Sequence, residues 1–523
     1  MMTYCENVMS RVRMRRSGHV SRWCAVLCVM LAAASCTGVP LDEPKTVSRS
    51  ISGPVGGLDI GEANLGAGES LFLPLVDGND ALGARLRLIE AAKESIDIKT
   101  FLVKPDIAGS LTALALFAAA DRGVRVRFLI DDAFTSADDA GLAAFDAHPN
   151  MEVRLFNPIS RNSVTPIAFA LEFNRVNRRM HNKAFIVDGE AVIIGGRNIA
   201  DEYYQIDQSV EFADFDLFMA GPVVRSFGQA FDTYWNDVWA VPIEHLSPEA
   251  NDAEVRAALA GFDETSGSEE AEIYRRAIDS TFLKDVREGR IPFYKGRAAA
   301  VVDPPLKLRQ RQGGADQSTA RALMTAMDRA RSEVLLITPY FVPEEYGADF
   351  FVGLVERGIR VRIITNSLAS TNHAYVHAGY KAYRNQLLEA GVELYELRAD
   401  ALQNLGELPA DDPLKLTMHT KGAFIDDDLF FVTSMNWDPR SIKLNSELGV
   451  LIESRQLVDG LRLNFEEDIS DFTFRVGIDD EGRAVWDDVS GDQIVRRYSD
   501  PGAGAFSRFV SGLTGLLPVE GQL

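Results

Sequence analysis

From about residue 75 the chain alternates between two periodicities. Apolar residues recur every three or four positions over Leu82–Ala92 and Gly109–Arg122, which predicts amphipathic helices, the second stopped by Gly123. Ser95–Val103, Val124–Ile130 and Met151–Phe156 are short apolar or alternating runs and predict strands. The same order returns later. Helices are expected over Ala320–Ala330, Ala348–Glu356 and Val376–Ala390, the last two stopped by Gly358 and Gly391, and strands over Glu333–Thr338, Ile359–Ile364 and Val392–Leu397. "RGVRVRFLI" in the first stretch and "RGIRVRIIT" in the second are near-copies. The pattern is an internal duplication of a large unit, not a short solenoid repeat. Strands alternating with helices predict an α/β fold. Each half is expected to hold a mixed, mostly parallel sheet flanked by helices, and the halves to pack about a pseudo-two-fold axis.

Each half carries one more strand with polar residues at its start. The first reads His181-Asn182-Lys183-Ala184-Phe185-Ile186-Val187-Asp188, the second His419-Thr420-Lys421-Gly422-Ala423-Phe424-Ile425-Asp426. Both have the spacing His-x-Lys-x4-Asp. On an extended chain His and Lys share a face, so an imidazole stands beside an ammonium. A phosphoryl group needs that pair: one atom to attack or protonate it, one charge to neutralise its oxygens. One copy is weak, but the tails match as well. Gly196 and Asn198 follow His181 at the offsets at which Ser434 and Asn436 follow His419. An acidic residue then opens an apolar run in each half, Asp216 in the first and Glu447 in the second, with Asp214 a near rival for Asp216. An interface cleft joining both motifs is the expected site.

The 523 residues suffice for two cores, and 46% hydrophobic with 25% charged residues is ordinary for a globular chain. The formal net charge of -22 disfavours a nucleic-acid partner. Arg11, Arg13, Arg15, Arg16 and Arg22 precede the apolar run Trp23–Leu31, and Ala33-Ala34-Ser35-Cys36 follows. This is a secretory signal, too short to span a bilayer comfortably. Removing it leaves Cys36 alone of the four cysteines and the body more acidic still, so no internal disulfide is expected. The expected organisation is a signal over 1–36, a flexible tether over 37–74, a first domain over 75–225, a helical linker or lid over 226–300, a second domain over 301–470 and an extension over 471–523. In the extension, Phe506, Phe509, Val510, Leu513, Leu516 and Leu517 have helical spacing and predict a helix docked on the core, with a membrane-surface helix as the other reading.

The paired His-x-Lys-x4-Asp motifs resemble the phospholipase D superfamily. "NRRMHNKAFIVDG", "GGRNIADEYY", "TNSLASTNHAYVHAGY" and "NWDPRSIKLNSELG" resemble bacterial cardiolipin synthases, in particular the C-type branch. The resemblance implies two phospholipase D-like domains and transfer of a phosphatidyl group between alcohols, with no cofactor and no metal. It implies His181 as nucleophile and His419 as acid and then base. Lys183 and Lys421 would clamp the phosphate oxygens, with Asn198, Ser434 and Asn436 as further donors, and Asp216 and Glu447 would orient the histidines. Asp188 and Asp426 complete the catalytic motif but are expected to brace the fold. The partners would be phospholipids and a membrane; no accessory protein is specified. Ala-Ala-Ser-Cys resembles a bacterial lipoprotein processing site, so Cys36 would be lipidated, in a cell envelope and with a following Thr37 that resembles outer-membrane sorting. The alternative is a phospholipase D that hydrolyses phospholipids to phosphatidic acid. A phosphodiester nuclease and a non-catalytic lipid-binding protein are the weaker rivals.

Overall fold

A computed structural model describes residues 39, 41, 47–51, 65–133, 135–161, 172–206, 210–247, 250–269, 271–272, 290, 293–310, 317–491 and 493–514, with side chains omitted over 463–468. The signal over 1–36, Cys36, and Leu516 and Leu517 of the tail lie outside the described residues. Residues 41–158 and 174–523 form one compact unit that contains both halves; 1–40 and 159–173 are assigned to a second.

In the first half the strands are β1 (Glu69–Leu75), β2 (Ser95–Thr100), β3 (Arg125–Asp131), β4 (Met151–Phe156), β5 (Ala184–Val187), β6 (Ala191–Gly195), β7 (Val210–Ala213), β8 (Asp216–Ala220) and β9 (Ala240–Pro242). Then come β10 (Tyr294–Val302), β11 (Glu333–Ile337), β12 (Arg360–Asn366), β13 (Glu393–Leu397), β14 (Lys415–Met418), β15 (Gly422–Ile425), β16 (Leu429–Thr433), β17 (Leu448–Glu453), β18 (Thr473–Ile478), β19 (Ala484–Asp488) and β20 (Val495–Arg497). The helices of eight residues or more are α1 (Gly78–Ala91), α2 (Ile107–Asp121), α3 (Asp139–Asp146), α4 (Val223–Trp235), α5 (Asp252–Ser266), α6 (Ser318–Asp328), α7 (Glu344–Glu356), α8 (Ala374–Glu389), α9 (Arg455–Phe472) and α10 (Ala505–Thr514). Asp77, Asp106 and Asp138 each start a helix by accepting a bond from the backbone N–H three residues on. Gly123, Gly358 and Gly391 stop α2, α7 and α8 with φ of 94°, 83° and 97°.

One 18-stranded sheet runs through both halves. Its pairings give the order β9-β4-β3-β2-β5-β6-β8-β1-β10-β17-β16-β15-β11-β12-β13-β18-β19-β20. Read outward from the β1–β10 seam, each side repeats the other, so the duplication seen in the sequence is a two-fold in the topology. The sheet is mixed, but less parallel than expected. Only β2–β3–β4 and β11–β12–β13 are parallel; hairpins and returning strands make the rest antiparallel.

Two expected boundaries shift. The tether ends early: β1 begins within 37–74, at Glu69, and joins the halves, because Leu71, Phe72, Leu73 and Leu75 are buried. Part of the remainder is docked. Ser50 N donates to Asp232 Oδ1 at 2.7 Å and Arg127 Nη2 donates to Ser50 Oγ at 2.7 Å. The linker begins late: α4 buries Phe227, Phe231, Tyr234 and Trp235 in the core that the two halves share, and β9 extends the first half's sheet at β4.

Asp188 and Asp426 end β5 and β15 at φ of 54° and 52°. The Asp188 carboxylate accepts the backbone N–H groups of Lys93, Glu94 and Ser95. That of Asp426 accepts those of Arg331, Ser332 and Glu333. These two motif members are at the opposite end of the strand from the histidines and hold strand starts together. They complete the motif in sequence, and their position is the bracing one expected of them.

Candidate active site

The His-x-Lys segments are extended and lead directly into β5 and β15. Each is tied to the opposite half through its backbone. His181 N donates to Ser446 O at 2.9 Å, and His419 N donates to Ala213 O at 2.8 Å. β7 of the first half pairs in parallel with β14, the strand before His419. The motifs therefore meet at one place, and each histidine side chain is completed across the seam. His181 Nδ1 lies 3.0 Å from Glu447 Oε2 and 3.1 Å from Oε1. His419 Nδ1 lies 2.6 Å from Asp214 Oδ2. Each carboxylate fixes the ring and leaves Nε2 as the available nitrogen.

Asp216 does not orient a histidine. Its carboxylate lies 2.8 Å from Arg85 Nη2 and 3.5 Å from Arg197 Nη1, fully buried. The equivalence runs through Asp214: Gly196 N donates to Phe215 O as Ser434 N donates to Leu448 O. Asp214 thus matches Glu447, and the alignment that chose Asp216 slipped by two residues. A slip of two keeps every side chain on its face of the strand, so the apolar alternation does not register it.

Gly196 and Ser434 differ for a reason the carboxylates supply. A Cβ at 196 would lie 2.1 Å from Asp214 Oδ1. The longer Glu447 leaves room, and Ser434 Oγ donates to its Oε2 at 2.5 Å. Ser434, expected to touch phosphate, is engaged with Glu447 and positions it. Gly196→Ala is expected to displace Asp214 and lower turnover at least about a hundredfold, the scale of an ångström-sized misplacement. Steady-state kinetics on the folded variant checks this.

Lys183 Nζ donates to His181 O at 2.9 Å, and Lys421 Nζ donates to His419 O. Burial, followed by the neighbouring lysine's charge, brings Lys183 down to about 7; burial brings Lys421 down to about 8. Burial and both ammonium charges push the two imidazoles well below their usual value, so they are neutral in the empty site. Burial raises Glu447 to about 7 and raises Asp214 as well. His181 and Lys421 are among the charges acting on His419, which places all of them in one field. An arriving anion would favour the protonated form of every one of these bases. The lysines lose their charge as pH rises through 7 to 8, so anion affinity falls in that direction. Sulfate, whose charge is constant there, is expected to bind roughly tenfold more weakly at pH 8.5 than at pH 6.5. Calorimetric titration, with Lys183→Met as control, checks it.

Asn198 and Asn436 are buried, each with an Oδ1 that has no partner. Asn198 Nδ2 lies 2.8 Å from Tyr203 Oη. Turning the amide over keeps that bond, with the hydroxyl donating, and releases Nδ2 as a donor. Sequence reasoning missed the aromatic walls. Phe101 meets His181 edge-on at 4.8 Å and the Lys183 ammonium at 5.2 Å. Tyr203 and Phe212 flank His419 at 5.2 and 5.4 Å. Arg197, in "GGRN", was also missed; it donates to the carbonyls of Leu75, Tyr203 and Asp214. His373, the residue before α8, and His377, within it, go to different partners. His373 packs at a tilt against Tyr340 and Tyr375, and His377 Nε2 lies 3.5 Å from Asp500 Oδ1.

The chain matches the profile of the cardiolipin synthase PLD-like domain twice, over residues 86–235 and 323–469. Cardiolipin synthase C of Escherichia coli (strain K12) is 34% identical over 460 residues, covering 87% of this chain and 96% of that protein. An uncharacterized protein of Helicobacter pylori (strain ATCC 700392 / 26695) is 30% identical over 470 residues, covering 89% and 92%. The crystal structure of phosphatidylserine synthase from Haemophilus influenzae Rd KW20 shares the fold, with a TM-score of 0.55 and 15% identity over 84% of this chain and 91% of that one. With two complete motifs folded into one buried site, this chain belongs to the phospholipase D-like family of the cardiolipin synthase kind and is an enzyme of the phosphatidyltransferase or phospholipase D type.

Proposed function

We propose that the protein makes cardiolipin, transferring a phosphatidyl group from phosphatidylglycerol or phosphatidylethanolamine to a second phosphatidylglycerol. The observation that carries this reading is the exchange of carboxylates, Glu447 to His181 and Asp214 to His419, around two lysines. It gives two oriented imidazoles on one phosphate, as in-line displacement in two steps requires.

His181 Nε2 attacks phosphorus, and the bond to the head-group oxygen breaks. His419 Nε2, protonated as the phosphate arrives, gives its proton to the leaving glycerol or ethanolamine oxygen. A phosphatidyl-histidine remains. The neutral His419 then takes the proton of an incoming phosphatidylglycerol hydroxyl, whose oxygen attacks phosphorus and breaks the N–P bond. Lys183, Lys421, Asn198 and Asn436 meet the non-bridging oxygens, where charge grows in each transition state. Phe101, Tyr203 and Phe212 keep the imidazoles dry, which favours a lipid alcohol over water as acceptor.

Among the described residues no helix is long and apolar enough to cross a membrane. The enzyme works at a membrane in the bacterial cell envelope, held there by lipidation at Cys36. The test is incubation of the detergent-solubilised protein with labelled phosphatidylglycerol, with and without phosphatidylethanolamine, and mass spectrometry of the products. Cardiolipin with free glycerol or ethanolamine supports the proposal and names the donor. Phosphatidic acid alone overturns it in favour of hydrolysis.

A further inference from the structure

The C-terminal extension presents a face that catalysis leaves without a task. Twelve large apolar side chains are exposed among the described residues. Six of them, Ile494, Val495, Tyr498, Phe506, Phe509 and Leu513, fall within 494–513. On α10, Phe506, Phe509 and Leu513 are 78%, 65% and 50% exposed. Spacings of three and four put them on one face. The face with the buried Ser511 packs on α8. Docking on the core therefore accounts for the small residues of α10 and not for its aromatic ones. Exposed apolar groups gathered in this way mark a surface that meets something.

Charge says what kind of surface. The stretch 494–513 holds Arg496, Arg497 and Arg508 against the single Asp500, in a chain of net charge -22; Arg496 is ion-paired with Asp487 of β19 at 2.7 Å. Asp500 is turned inward, 3.5 Å from His377 Nε2 and 3.9 Å from Arg384 Nη1. Arg508 donates to the carbonyls of Ala503 and Asp500, and Arg497 is exposed. With Arg496 offset by Asp487, Arg497 and Arg508 leave the apolar face of an otherwise acidic protein mildly basic, which suits an anionic lipid surface and repels a second acidic copy.

Position links the face to the site. α8, on which α10 packs, begins after His373, with Tyr375 in its first turn. The His373 ring lies 5.4 Å from that of Tyr340, whose carbonyl accepts from Thr338 Oγ1, and Thr338 Oγ1 accepts from the backbone N–H of Trp437, next to Asn436. Gly502, just before α10, approaches Ala369 in the loop that leads to α8.

We infer that residues 494–513 are a bilayer-docking surface, with Phe506, Phe509 and Leu513 seated in an anionic phospholipid interface, so that the mouth of the site meets the lipid it consumes. This rests on the proposed function for the identity of the substrate. The helix is short and lies in the interface plane; its role is to orient the site, while the N-terminal anchor supplies residence.

The test uses the full chain with Cys36→Ser, so that no acyl group attaches, and compares it with the same chain carrying F506S, F509S and L513S. These residues are exposed, and circular dichroism verifies the fold. On vesicles of phosphatidylglycerol and phosphatidylethanolamine, the triple variant is expected to bind at least about tenfold more weakly. Turnover of vesicle lipid is expected to fall by a similar factor, while turnover of dispersed dihexanoyl-phosphatidylglycerol is unchanged. Equal vesicle binding by the two chains overturns the inference. So does an equal loss on both substrates, which would make the face part of the catalytic fold. A change of oligomeric state in light scattering with vesicle binding intact would assign the face to a second copy instead. The vesicle-binding readout needs no turnover, so a wrong product assignment leaves it standing.

Discussion

Asp214→Asn is expected to lower turnover by roughly ten-thousandfold while leaving the fold intact, the size of loss that follows when the acid orienting a catalytic histidine becomes an amide. The Asp214 carboxylate sits 2.6 Å from His419 Nδ1 and lies across the seam from it. An amide there offers an N–H to Nδ1, which selects the wrong tautomer and leaves Nε2 carrying the proton throughout. Asp216→Asn, two residues on, is expected to do the reverse. Its carboxylate offsets the buried guanidinium groups of Arg85 and Arg197. Removing one partner of a buried ion pair costs about 3–5 kcal/mol of stability, while turnover per folded molecule should hold. Denaturant unfolding and single-turnover kinetics on the two variants separate the roles. Matched losses of activity in both, without loss of stability in Asp216→Asn, would contradict the assignment.

The second large effect concerns which histidine does what. His181→Ala is expected to abolish transfer, by roughly 10^5-fold or more, on any phospholipid, because the attacking nitrogen is gone. His419→Ala is expected to lose as much on natural head groups but to recover much of the first step on a phosphatidyl-p-nitrophenol. That leaving group departs as an anion and needs no proton. The release of p-nitrophenolate in a rapid-mixing experiment reads the first step alone. Recovery in His181→Ala and not in His419→Ala would exchange the two roles.

The arrangement of the halves could be read in the sequence because it is written twice. The near-copies around Arg125 and Arg360 and the two His-x-Lys segments recur in order, and the topology repeats about the β1–β10 seam as they require. What could not be read came from contacts between distant parts of the chain. β1 sits in a Gly-rich stretch, and only its pairing with β8 and β10 makes it a strand. α4 opens the stretch expected to be a linker, yet its aromatic face is core. Asp216 was preferred over Asp214 because an alternating pattern is blind to a slip of two; the carbonyls that accept from Gly196 N and Ser434 N set the register. For Asp188 and Asp426 the far end of the strand already pointed to bracing; the three backbone N–H groups that each accepts come from a distant part of the chain and were not legible.

The central claim is that His181, held by Glu447 from the other half, carries the phosphatidyl group between donor and acceptor. The direct measurement is the intact mass and peptide map of His419→Ala after brief incubation with phosphatidyl-p-nitrophenol. With the second step blocked, a phosphatidyl adduct should accumulate on the peptide containing His181, and it should be absent from His181→Ala/His419→Ala. An adduct on any other residue, or rapid product release with no adduct, would contradict the account.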